Sequence, residues 1–172
     1  MAIGLQRGAP SNTDGRRSVE RRVWVNASPR RVWTTLLDAS IERRLFAELT
    51  LRKGDPSWPA AGSTRPGEVH LGLMRTAVHV ESLEARPDTA YGRAIVAPEF
   101  DIGWSWRMEP LAGGTRVIHD GWFETRDRWA GVLVRLGRES IGQLAEAHLR
   151  ALKELAETSA EATAGPAAGP TA

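Results

Sequence analysis

One change of period decides most of what this chain can fold into. Five successive runs alternate apolar and polar residues: "EVHLGLM" (68–74), "RTAVHVESLEA" (75–85), "TAYGRAIV" (89–96), "DIGWSWRMEP" (101–110) and "TRVIHDGWFET" (115–125). Period two predicts strands with one apolar face. From Trp129 to about Glu157 the spacing turns helical, with Ile141, Leu144, Ala145, His148, Leu149, Leu152 and Leu155 on one stripe. An antiparallel sheet with one apolar face needs a cover. The long C-terminal helix is the only element big enough to supply it. That helix also holds Gly131, Gly137 and Gly142, each costing about 1 kcal/mol against Ala. Three such residues point to a bend, close backbone packing, or space left for something.

The N-terminal part adds smaller pieces. "SVERRVWVNA" (18–27) predicts a strand with some irregularity, Val19, Val23 and Val25 standing against Arg22 and Trp24. "SPRRVWTTLLD" (28–38) opens with Ser28 as N-cap and Pro29 at the first helical position. Val32, Trp33, Leu36 and Leu37 give it an apolar stripe. "IERRLF" (41–46) predicts a second short helix, "AELTLRKG" (47–54) a strand, and "DPSWPAAGSTRPG" (55–67) a loop. Gly113-Gly114 suits a tight hairpin, and "ARPDT" (85–89) a turn. The expected class is α+β, a curved antiparallel sheet of six to seven strands wrapped on the C-terminal helix, with two short helices after the first strand. Residues 1–16 read as a disordered arm, 17–157 as the domain, and 158–172 as a disordered Ala/Gly/Pro tail.

Composition narrows the chemistry. A chain of 172 residues suits one domain. The absence of Cys excludes disulfides, Cys-ligated zinc and thiol nucleophiles. Positive charge is nearly all Arg, and the net charge of +2 is too small to imply a polyanion partner. The Arg-rich first 31 residues read as a solvated tail and the polar face of the first strand, so no nucleic acid is expected. "WAGVLVRLG" (129–137), the longest apolar candidate, is broken by Arg135 and cannot span a membrane. The first residues lack the apolar centre of a signal peptide, and the expected location is cytoplasmic.

Strand parity selects the candidate site. Ile102, Trp104, Trp106 and Met108 share one face, against Asp101, Ser105, Arg107 and Glu109. On the next strand Val117, His119, Gly121 and Phe123 share a face, against Arg116, Ile118, Asp120 and Trp122. The apolar sets should face the helix, with Gly121 leaving room beside the two Trp. These Trp read either as plain core or as the wall of a pocket. His119 from the sheet and His148 from the helix could look into the same space, as acid–base groups or as neutral hydrogen-bonded core residues. If Val78 and Val80 face inward, His79 faces out. Trp122 could serve a homodimer contact or lie under loops. Arg75, Arg93 and Arg107 are further candidate cations, with their directions left open. No spacing suggests a metal site, and no phosphate loop, nucleophile elbow or dinucleotide fingerprint is present, so no cofactor is expected.

Three segments carry a family resemblance: "VNASPRRVWTTLLD" (25–38), "LEARPDTAYGR" (83–93) and "WSWRMEPLAGGTRV" (104–117). In this order they resemble the SRPBCC/START-like helix-grip superfamily, which includes Bet v 1-like and polyketide-cyclase proteins. The resemblance implies a cavity between sheet and long helix that holds an apolar or amphipathic small molecule, polyketide- or lipid-like. Trp104, Trp106, Met108, Val117, His119, Phe123 and His148 would then be the ligand-binding residues. It does not imply one activity. A carrier, sensor or accessory protein is the first expectation. A cyclase or dehydratase using His119 or His148 is the alternative, and an Hsp90-activator-like interaction module a second. The aromatase/cyclase branch is similar around "LFAEL" (45–49) but tends to carry a Tyr where this chain has Leu49.

Overall fold

In the computed structural model the described residues are 17–71, 74–125 and 130–161; at 17, 71, 74, 125, 130–139 and 159–161 the description covers the backbone alone. The elements are β1 (Arg17–Val25), α1 (Pro29–Leu36), α2 (Glu42–Leu45), β2 (Leu49–Leu51), β3 (Thr64–Leu71), β4 (Met74–Arg86), β5 (Ala90–Val96), β6 (Phe100–Leu111), β7 (Gly114–Thr125) and α3 (Ala130–Glu161). The expected arm (1–16) lies outside the described residues. Helix α3 runs four residues past Glu157, into the segment read as tail. Thr158 is held there by a 2.8 Å hydrogen bond from its hydroxyl to the Glu154 carbonyl.

The strands form one antiparallel sheet in the order β1-β7-β6-β5-β4-β3-β2. The chain meanders from β2 to β7, and β1 closes on β7, which makes β7 and β6 the second and third strands from the β1 edge. Gly113, at φ 79, makes its turn. Asp88, at φ 59, turns "ARPDT", a conformation Asp tolerates. A register shift between Ser82 and Glu84 throws Leu83 into solvent while Val78, Val80 and Ser82 stay buried.

Helix α3 covers the concave face, chiefly over β1 and β7. Ile141, Ala145, His148, Leu149, Leu152 and Ala156 are buried there. The irregularity of β1 has a cause: Arg21 shares the inner face with Val19 and Val23, and its guanidinium reaches Glu146 of α3 at 2.9 Å. Gly142 marks close packing, since a Cβ there would lie 3.3 Å from Arg21 Nη2. Helix α1 starts as expected, with Ser28 Oγ accepting from Arg31 N at 3.3 Å, and buries Val32 and Leu36, packing on α3 and on the β6–β7 hairpin.

Candidate functional site

The β6–β7 register sets the site. Trp104 lies opposite Gly121, Trp106 opposite His119, and Met108 opposite Val117. All six are buried, and Phe123 is half-buried beside Phe100 at 5.7 Å between ring centroids. The space that Gly121 was expected to leave is taken up by the Trp104 ring. A Cβ on Gly121 would lie 2.4 Å from Trp104 Cζ3. On the outer face the pattern inverts: Trp122 lies half-buried across Gly103, its partner on β6. His79 is exposed between buried Val78 and Val80.

His119 and His148 meet in the core and form part of a chain of polar groups. His119 Nδ1 lies 2.9 Å from the Ser105 carbonyl oxygen, and its Nε2 lies 3.3 Å from His148 Nδ1. His148 Nε2 is 2.9 Å from Glu48 Oε1. Each contact needs one proton, and the carbonyl can only accept. His119 therefore donates from Nδ1 and accepts at Nε2, and His148 donates from Nδ1. The third proton lies between His148 and Glu48. Two neutral imidazoles supply only two protons, so the group holds one extra, balanced by the carboxylate. Burial would raise the Glu48 carboxyl, but the hydrogen bond and charge of His148, with Arg93 nearby, hold it below its ordinary range. Burial, and then the electrostatic effect of His148 beside it, keep His119 well below its ordinary value and neutral. Glu48, His148 and His119 run in line rather than converging, and no metal-ligand cluster exists among the described residues.

Aromatic rings surround this chain. The His119 imidazole stacks on Trp106 at 4.4 Å and on Trp104 at 5.1 Å, and Phe46 meets His148 edge-on at 4.9 Å. Tyr91 stacks on Trp106 at 5.7 Å, and burial pushes its hydroxyl up to about 12. Arg93, opposite Trp104 in register, is only 1% exposed, and its guanidinium carbon sits 3.6 Å above the Phe46 ring. Four donors here have no acceptor among the described residues: Arg93 Nε and Nη2, and the indole N–H of Trp104 and of Trp106.

Of the three Arg weighed from the sequence, only Arg93 points inward; Arg75 and Arg107 are exposed. Parity with Tyr91 and Ile95 carried that signal. Glu48 carried a weaker one, a carboxylate among Leu45, Phe46 and Leu49 just before a strand. Leu49 itself is core. An open depression of about 370 Å³ lies elsewhere, lined by Ala77, Val78, His79, Val96, Ala97 and Pro98.

Residues 16–157 match the family model described as polyketide cyclase / dehydrase and lipid transport. No curated protein sequence matches. Among solved structures, the chain is similar to the Zhui aromatase/cyclase from a Streptomyces species at 19% identity and TM-score 0.70, over 88% of this chain and 99% of that one. A Thermus thermophilus protein aligns at 16% identity and TM-score 0.66, over 83% and 99%. The structure of Ara h 8.0201 aligns at 12% identity and TM-score 0.53, over 78% and 97%. At such identities the likeness is one of fold.

Proposed function

The chain belongs to the polyketide cyclase/dehydrase and lipid transport family, and from that premise we propose that it binds an apolar or amphipathic small molecule, polyketide- or lipid-like, between its sheet and α3. It would act as a carrier, sensor or accessory protein. One observation supports this most: Trp104 and Trp106, on the helix-facing side of β6, both bury an indole N–H that has no acceptor among the described residues. A finished core satisfies its donors. An aromatic wall with unmet donors suits an apolar body that carries acceptor oxygens.

Titration with a neutral fused-ring ketone, followed by Trp fluorescence, tests the reading. A saturable quench is expected. Trp104→Phe should weaken it by roughly five-fold, the worth of one hydrogen bond. No saturable change with fused-ring ketones or with long-chain fatty alcohols would sink the proposal.

The Glu48–His148–His119 chain favours a second reading, acid–base chemistry of the cyclase or dehydratase type on the bound molecule. In an enzyme, His119→Ala and His148→Ala would keep affinity nearly intact and abolish turnover. Equal loss of binding would point to a carrier.

A further inference from the structure

Resting on the ligand-binding reading above, we propose that the bound molecule carries a planar two-oxygen anion, a carboxylate or an ionised 1,3-dicarbonyl, held by the Nε/Nη2 edge of Arg93. The two nitrogens left without partners are adjacent, on one side of the guanidinium. Their N–H bonds run parallel, at the spacing of two oxygens on one planar group. The face of the guanidinium is engaged, lying 3.6 Å over the Phe46 ring, and this contact orients the free edge. A role confined to packing on Phe46 would use the face and leave both edge donors costly.

Charge counting leads to the same group. The Glu48–His148 pair and neutral His119 sum to zero. The nearby Arg65–Glu42 pair, 3.3 Å apart and largely buried, also sums to zero. Tyr91 stays protonated at neutral pH. The group as described keeps a net positive charge; Glu48 and Glu42 attract Arg93 through space, but neither accepts a hydrogen bond from its Nε/Nη2 edge. An anion on the ligand cancels the net charge, and the Trp104 indole N–H, across the register from Arg93, remains for a further acceptor.

The test uses the full chain and matched probes: 2-naphthoate, its neutral amide 2-naphthamide, and the ionised 2-acetylindane-1,3-dione. Affinities are read by calorimetry and Trp quenching. At least one anion should bind about ten-fold or more tightly than the amide, as expected for charge-assisted bonds. Whether naphthoate or the dicarbonyl gains most identifies the source of the two oxygens. Arg93→Met should erase the advantage, weaken naphthamide, which offers a single acceptor oxygen, far less than the anions, and give a Tm at or above that of the parent, since it removes a buried charge with unmet donors. Arg93→Lys, which keeps charge but not the fork, should restore only part of the advantage. Equal binding of amide and anions, or an advantage that survives in Arg93→Met, overturns the inference and leaves the ligand-binding reading standing. If none of the three probes and none of the neutral ketones binds, both fall.

Discussion

The β6–β7 hairpin has two faces, and they handle polar groups in opposite ways. On the outer face every charge finds a neighbour. Arg116 pairs with Glu109 across the strands, Arg107 lies 3.7 Å from both Glu20 and Asp120, and Arg22 bonds Glu20. These groups are partly solvated, so each pair is worth about 1 kcal/mol or less. On the inner face polar groups are few and sealed, and Arg93 keeps unmet donors. Solvent would have satisfied any donor on the outside at little cost. Inside, an unmet donor is expensive, and that expense is what gives Arg93 and the two indoles their functional meaning.

Breaking the inner chain should produce the largest contrast. Glu48→Ala strips His148 of its carboxylate and should cost about 3–5 kcal/mol in urea denaturation. Glu109→Ala on the outer face should cost less than about 1 kcal/mol. Acid sharpens the difference. Glu48 has a lowered folded value, so its contribution is complete above its ordinary 4.5 and is lost as pH falls through the lowered one. His119, also lowered, withdraws stability as pH drops below its ordinary 6.5. Asp120 on the outer face has the reverse sign. Burial first, then Glu20, raise its carboxyl, so the folded state gains as pH falls through that raised value. A stability profile that is flat from pH 7 to 4, where His119 should act, or a parent that loses no more stability than Glu48→Gln below pH 4, would contradict the inner half of this account.

The two faces were not equally legible in the sequence. Strand parity placed Trp104, Trp106, Met108, Val117 and His119 on the helix side, because period two leaves a strand residue only two directions. The helical stripe put His148 opposite them. Glu48 escaped, since it lies between α2 and β2, where no period operates and tertiary packing alone decides direction. The role of Gly121 was half visible. Its place beside the Trp pair followed from parity, but whether a ring or open space would occupy it depended on rotamers that no pattern encodes.

Two glycines extend the comparison at a smaller scale. Gly121 and Gly103 each face a Trp ring across the same hairpin, one inside and one outside. An added Cβ would meet Trp104 at 2.4 Å from Gly121, and Trp122 at 1.9 Å from Gly103. Trp104 is 1% exposed and packs against the His119 and His148 rings. It has nowhere to go, so Gly121→Ala should cost about 1–3 kcal/mol and change Trp quenching. Trp122 is half-buried, with one side toward solvent, so Gly103→Ala should cost less despite the shorter contact. Equal costs would mean that the outer ring is held as firmly as the inner one.

The smallest effect concerns the outer ion pairs themselves. A double-mutant cycle on Arg116 and Glu109 should give a coupling of about 0.2–1 kcal/mol, most of it screened at high salt. The same cycle on His148 and Glu48 should give several-fold more and resist salt, because counter-ions do not reach a pair in which neither side chain exceeds 6% exposure. Salt sensitivity is therefore the finer discriminator. Both pairs are short contacts between opposite charges, and only solvent access separates them. If salt weakened the inner coupling as much as the outer, water would have to reach His148 beneath α3, and the net positive charge counted around Arg93 would no longer follow.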